Sequence, residues 1–162
     1  MGCYSFNGLL RAVEVKKNGS TLYDSTQRRK ELVQSRSMIE NDIAKAVVNV
    51  CFNIHSKYGP GLFESVYERI FCHEWNKTSI PHSRQCGIKL VHDGEDMGMG
   101  FIPDIVIANK VILELKSVES LAEVHYKQLL TNLRITNIKL GLLINFNVPL
   151  IKNGIHRIAN NL

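Results

Sequence analysis

Three ionisable side chains interrupt two apolar segments near the middle of the chain. Asp104 follows Pro103 and precedes the run Ile-Val-Ile, while Glu114 and Lys116 alternate with apolar residues between positions 111 and 118. Moving a charge out of water without a partner costs several kcal/mol. Two carboxylates and an ammonium group are therefore kept in such segments only where something compensates their charge.

A divalent cation is one compensation that these residue types indicate. Hard ions such as Mg²⁺ or Mn²⁺ prefer carboxylate and carbonyl oxygens and commonly share them with substrate phosphate. Because side chains alternate along a strand, Glu114 and Lys116 are expected on one face, about 7 Å apart, with the Leu115 carbonyl between them. The other interpretation is a buried ion pair of Glu114 with Lys116, in which Asp104 is a turn residue at the end of its strand.

The connection between the two segments decides whether Asp104 can join the other two residues. A two-residue turn at 109–110 would place Asp104 opposite Leu115, facing away from Glu114. A three-residue connection over 108–110 places Asp104 directly across from Glu114. We therefore predict an odd-length loop or a bulge at this point.

Helices are predicted ahead of these strands. Apolar residues recur every three or four positions from Ile39 to Tyr58, and Ser37 with Glu40 has capping-box spacing. Gly-Pro-Gly at 59–61 ends this helix, since glycine tolerates a left-handed backbone and proline cannot continue the hydrogen-bond ladder. A second amphipathic helix is expected over 62–75.

The second half of the chain reads mainly as strands. They are expected at 84–92, 99–108, 111–118 and 139–146, with a short final strand through 158. The strands at 99–108 and 111–118 are predicted to be central because they are apolar on both faces. Turn residues stand at Asp93-Gly94. A capping-box pattern at Ser120 and Glu123 opens a further helix, from Leu121 to about Arg134.

Further polar side chains lie at the edges of the predicted helices. Glu64 falls beside the apolar stripe of the second helix and could lean toward the sheet, or it could only stabilise the helix dipole from the first turn. His125, Gln128 and Asn132 share one face of the third helix. Such a strip is usually solvated, but it could also orient a water molecule or contact phosphate.

The net charge of +5 is unevenly distributed. Residues 1–37 hold seven Lys or Arg against three acids, whereas the remainder holds thirteen against twelve. We expect 1–37 to be a poorly ordered basic extension, either a solvated tail, a start codon placed too early, or a basic arm. We expect 38–162 to form one domain of nearly neutral charge, so the basic composition alone does not indicate DNA binding.

Several other classes of protein are disfavoured. No apolar run approaches the length of a membrane span, and the N-terminal residues lack the pattern of a secretory signal, so a cytoplasmic protein without membrane contact is expected. The four cysteines show no CxxC pair and no regular spacing against the six histidines, which argues against a zinc site.

Two motifs in this sequence resemble those of a known family. Pro103-Asp104, nine residues and then Glu114-Leu115-Lys116 give a PD…ExK pattern, and residues 61–67 read GxxExxY. Together with Gly-Pro-Gly at 59–61, the run at 140–146 and His125 with Gln128, they resemble the GxxExxY protein family over roughly 40–158. That family is placed in the PD-(D/E)XK nuclease superfamily.

The resemblance implies a fold and an activity. The fold would be a restriction-endonuclease-like α/β core, with a central mixed β-sheet flanked by helices. The activity would be Mg²⁺-dependent cleavage of DNA, with Asp104, Glu114 and Glu64 as metal ligands. Lys116 would position or activate the attacking water, and Gln128 would match the glutamine of the RecB-like branch.

One position departs from the pattern, because Asn132 stands where an aromatic residue is expected four places after Gln128. This puts substrate contact at that edge in doubt, and leaves the metal site untouched. The alternative function is a non-catalytic module of the same fold that binds nucleic acid or a protein partner, or a structural subunit of a larger assembly. The complete set of acids with Lys116 favours the enzyme.

Overall fold

Five strands form a mixed sheet with helices on both faces in the computed structural model, which describes residues 39–162. The α-helices of this part of the chain are α1 (Glu40–Tyr58), α2 (Glu64–Trp75) and α3 (Glu123–Thr136). The strands are β1 (His82–Arg84), β2 (Ile88–His92), β3 (Glu95–Phe101), β4 (Ile105–Ile107), β5 (Val111–Lys116), β6 (Leu140–Asn145) and β7 (Ile155–Ala159). Short 3-10 helices lie at Asn76–Thr78 and Ile151–Asn153.

The sheet has the strand order β1-β4-β5-β6-β7, which places β5 at its centre. Strands β5 and β6 are parallel, and every other neighbouring pair is antiparallel. Parallel neighbours need a crossover connection, and α3 provides it. The predicted α/β class with a central mixed sheet flanked by helices is confirmed.

Side chains alternate between two hydrophobic cores, one on each face of the sheet. The larger core packs α1 and α2 against one face, with Tyr67, Phe71 and Trp75 fully buried. The smaller core packs α3 against the other face, and its buried members are Val106, Ile112, Leu129, Leu133, Ile138 and Leu143. On β5, Leu113 and Leu115 face the larger core. The alternating residues Ile112, Glu114 and Lys116 therefore face α3.

The first helix ends as predicted. Gly59 has a φ of 66° and its N–H donates a hydrogen bond to the His55 carbonyl at 2.8 Å. At the other end Ile39 is the N-cap residue, while Ser37 and the basic segment 1–37 lie outside the described residues. None of the helices in 39–162 is long and apolar enough to cross a membrane.

Two of the predicted strands are each divided in the structure. The segment 84–92 breaks at 85–87, where Gln85 has a φ of 47°, and the segment 99–108 breaks at 102–104, around Pro103. Proline lacks an N–H for the ladder, which explains the second break. Strands β2 and β3 form a separate hairpin around the predicted Asp93-Gly94 turn, so the prediction that 99–101 are central was wrong.

The third helix begins at Glu123, two residues later than predicted. Its N-cap residue is Ala122, whose backbone N–H donates to Nδ1 of His125 at 3.2 Å. The predicted capping box of Ser120 with Glu123 is therefore wrong. The hydrogen bond from the N-cap N–H is accepted by the His125 ring and not by the Glu123 carboxylate.

Candidate functional site

The hairpin of β4 and β5 brings Asp104 to the face of Glu114. Ile107 pairs with Val111, so the connection 108–110 has three residues, as predicted. Continuing the same register puts Asp104 opposite Glu114. The Leu115 N–H donates to Asp104 Oδ2 at 2.7 Å, which fixes the carboxylate against the central strand.

Lys116 lies among the acidic side chains. Its Nζ is 3.9 Å from Asp104 Oδ2 and 3.9 Å from Glu114 Oε2, and it donates to the Leu115 carbonyl at 3.0 Å. These three side chains are only 16–19% exposed. The structure therefore brings together the three residues of the PD…ExK pattern at the end of β5.

Glu64 reaches the same group from α2. Lys116 Nζ donates to Glu64 Oε1 at 3.1 Å, although Glu64 remains 41% exposed. Glu64 is the first residue of α2, so its carboxylate also lies at the positive end of the helix dipole. Both interpretations offered for this residue are compatible with its position, and its part in chemistry stays a prediction.

Tyr67 explains why the GxxExxY spacing places Glu64 there. Its hydroxyl donates to the Gly59 carbonyl at 2.6 Å and accepts from the Leu62 N–H at 3.2 Å. Its ring stacks on Phe146 with centroids 4.3 Å apart. The tyrosine thus ties the turn between α1 and α2 to the core and fixes where α2 begins.

Burial and mutual repulsion make the carboxylates of Asp104 and Glu114 hard to ionise. Burial raises the pKa of Glu114 to about 8, and the charge of Asp104 adds to the effect. Burial also raises the pKa of Asp104, against the hydrogen bond from the Leu115 N–H. For Lys116 burial disfavours the charged form, but Asp104, Glu64 and Glu114 outweigh it and raise its pKa. Added positive charge would therefore stabilise the ionised acids.

The donor chemistry fits a hard dication. Asp104 and Glu114 would hold it, with Glu64 beside them, because Mg²⁺ and Mn²⁺ select oxygen ligands of this kind. Within 39–162 no three His, Cys, Asp or Glu side chains are already arranged as a metal-binding cluster. In this conformation the ammonium of Lys116 is the positive charge that the three carboxylates share.

The polar face of α3 borders a cavity above Glu114 and Lys116. The cavity has a volume of about 320 Å³, and His125, Gln128 and Asn132 all line it. Asn132 Nδ2 donates to Glu114 Oε1 over a long 3.5 Å, while the side chain of Gln128 makes no hydrogen bond to any described residue. The structure thus places Gln128 beside the site without contact to the acids, and its predicted role remains a prediction.

Sequence reasoning missed a buried acid behind Asp104. Glu68 is 3% exposed and accepts hydrogen bonds from Arg84 Nε at 2.7 Å and Gln85 Nε2 at 3.0 Å. The Gln85 N–H in turn donates to the Asp104 carbonyl at 2.9 Å, so this network supports the backbone of Asp104. The available signal was the position of Glu68 between Tyr67 and Phe71 on the buried stripe of α2.

Comparison with known proteins identifies a family. A sequence model of the PD-(D/E)XK nuclease superfamily matches residues 41–158, which is most of the chain. No curated protein and no solved structure matches the chain at a significant level. The matched range includes both motifs and all five predicted site residues.

Proposed function

The chain belongs to the PD-(D/E)XK nuclease superfamily, and from that premise we propose that it is a nuclease that hydrolyses phosphodiester bonds of DNA with Mg²⁺ or Mn²⁺. Nucleases of this superfamily generally use divalent metals. The narrower assignment to the GxxExxY family is part of the proposal and is supported by the contacts of Glu64 and Tyr67.

The observation that carries the proposal is the convergence of three carboxylates on Lys116. Its Nζ lies 3.1 Å from Glu64 and 3.9 Å from both Asp104 and Glu114. Like charges held this close in a half-buried site are costly unless a cation is shared among them. A site built only for stability would be better served by apolar residues at these positions.

Each residue has a role in the proposed reaction. Asp104 and Glu114, with Glu64, hold the metal, which when bound polarises the scissile phosphate and makes water a stronger acid. Lys116, protonated because its pKa is raised, donates hydrogen bonds that orient the attacking water and offset charge on the phosphate. The water oxygen bonds to phosphorus and gives up a proton to solvent, while the ester bond to the leaving oxygen breaks and that oxygen takes up a proton from solvent.

A pair of aspartate variants tests the proposal. Asp104→Asn should reduce metal-dependent cleavage of a fluorescent DNA by about a hundredfold or more, since it removes a charged ligand without changing the size of the side chain. Asp93→Asn is the matched control, because Asp93 lies in the hairpin turn with its side chain 91% exposed. A folded Asp104→Asn protein that still cleaves at the wild-type rate, with activity lost only in EDTA, would refute the assignment.

One observation favours a second candidate, a non-catalytic module that binds nucleic acid or a protein partner. Lys116 already donates to Glu64 and to the Leu115 carbonyl, so the acids have a partner without a metal. In that case wild-type protein would bind its partner equally well in EDTA and in Mg²⁺, and Asp104→Asn would leave binding unchanged.

A further inference from the structure

The cavity above Glu114 and Lys116 has two unlike walls. One wall is formed by Gly100, Phe101 and Ile102 at the end of the β2–β3 hairpin, and the other by polar residues of α3. Glu114, Lys116 and Leu143 complete the lining. A volume of about 320 Å³ is at the lower end of the range for small-ligand pockets, roughly 300–1,000 Å³.

The hairpin wall offers an apolar surface directly beside charged groups. Ile102 is 57% exposed although it is a large apolar residue, and it lies in the break between β3 and β4. The hairpin is a separate two-stranded sheet, so this wall is not part of the central core. An apolar surface next to groups that could bind phosphate suits the face of a nucleobase that has left its stack.

The α3 wall offers hydrogen-bonding groups at the opposite side. Nδ1 of His125 accepts from the Ala122 N–H, so the neutral ring carries its proton on Nε2 and can donate from there. The amide of Gln128 has no partner among the described residues and can both donate and accept. These groups suit the polar edge of a base or a sugar hydroxyl.

The charge of the cavity argues against a continuous duplex. Lys116 is the single Lys or Arg among the described residues that line it, and residues 38–162 hold thirteen basic residues against twelve acids. Affinity for a duplex comes largely from a series of Lys and Arg contacts to phosphates. A base that stays stacked and paired in a duplex also cannot enter a cavity of this kind.

We propose that the cavity between the β2–β3 hairpin and α3 holds one unpaired nucleotide, so that the preferred substrate is single-stranded DNA or an unpaired end. The base lies between Ile102 and the polar groups of α3, and its phosphate lies over Glu114 and Lys116. This inference rests on the proposed nuclease function and specifies its substrate.

Cleavage of matched substrates tests the proposed preference for an unpaired nucleotide. A labelled single strand, the blunt duplex of the same sequence and a duplex with an unpaired tail are compared with Mn²⁺. The single strand and the tail should be cut at least about tenfold faster than the duplex. Ile102→Ala should raise KM for the single strand about fivefold with little change in kcat, since it removes apolar surface that the base would contact.

Met97→Ala is the control, because Met97 is 51% exposed on the same hairpin and does not line the cavity. Equal cleavage of duplex and single strand, or an unchanged KM for Ile102→Ala, would overturn the inference and leave the nuclease function standing.

If no DNA is cut, the nuclease function fails, and fluorescence anisotropy with the same strands decides the inference. Preference for the single strand that Ile102→Ala weakens would then support it, and equal binding of strand and duplex would overturn it.

Discussion

Lys116 is the residue at which the charges of the site meet. Its ammonium donates to Glu64 and lies within 3.9 Å of Asp104 and Glu114. A dication held by the same carboxylates would have to displace the ammonium from part of this network. The proposed metal-bound state therefore differs from the metal-free one in the contacts between Lys116 and the three carboxylates.

The titration of Glu114 gives a prediction at this scale. Its pKa is raised from 4.5 to about 8, first because of burial. Between these values the folded protein keeps a proton that the unfolded chain has released, so stability falls as pH rises through that window. We expect the free energy of urea unfolding in EDTA to fall by up to a few kcal/mol from pH 5 to pH 8.

Glu114→Gln should flatten this profile because the amide stays neutral, and its stability should exceed that of the wild type at pH 8. Glu123→Gln is the control, since Glu123 is 85% exposed on α3. Parallel profiles for wild type and Glu114→Gln would show that Glu114 ionises normally.

Single residues were predictable where a charge interrupted an apolar run. Asp104, Glu114 and Lys116 stood out because strands buried on both faces rarely carry charges. Glu68 did not, because an acid on an amphipathic helix is ordinarily solvent-facing, and its partners Arg84 and Gln85 are remote in sequence.

At the scale of elements, the β4–β5 hairpin was predictable because its side chains alternate with period two. Whether the connection has an odd or an even number of residues then decides which residues share a face. Three residues are required to place Asp104 opposite Glu114. The division of 99–108 had a local signal in Pro103, which cannot donate to the ladder. The division of 84–92 was not predictable, because it depends on the pairing of β1 with β4, which local strand preference does not encode.

The turn between α1 and α2 gives a prediction at this scale. Tyr67→Phe removes the hydroxyl that bonds Gly59 and Leu62, and should cost about 1–2 kcal/mol of stability and several degrees in Tm. Tyr58→Phe is the matched control, since Tyr58 is 44% exposed. If both variants melt together with the wild type, the hydroxyl does not fix the turn.

At the scale of the molecule, periodicity predicted helices and strands, and the family resemblance implied a mixed sheet, but neither predicted the strand order. The parallel pair β5–β6 follows from the crossover helix α3, whereas the placement of β1 beside β4 needs long-range contacts. The fold brings together the first residue of α2, the residue before β4 and the end of β5, so that acids from three separate segments share one site. The proposed function requires that these acids bind one dication.

Calorimetric titration of Mn²⁺ into the metal-free protein tests that claim most directly. The wild type should bind one ion, Glu114→Gln should bind at least about tenfold more weakly, and Glu123→Gln should match the wild type. Folded wild-type protein that binds no Mn²⁺, or binding that Glu114→Gln leaves unchanged, would contradict it.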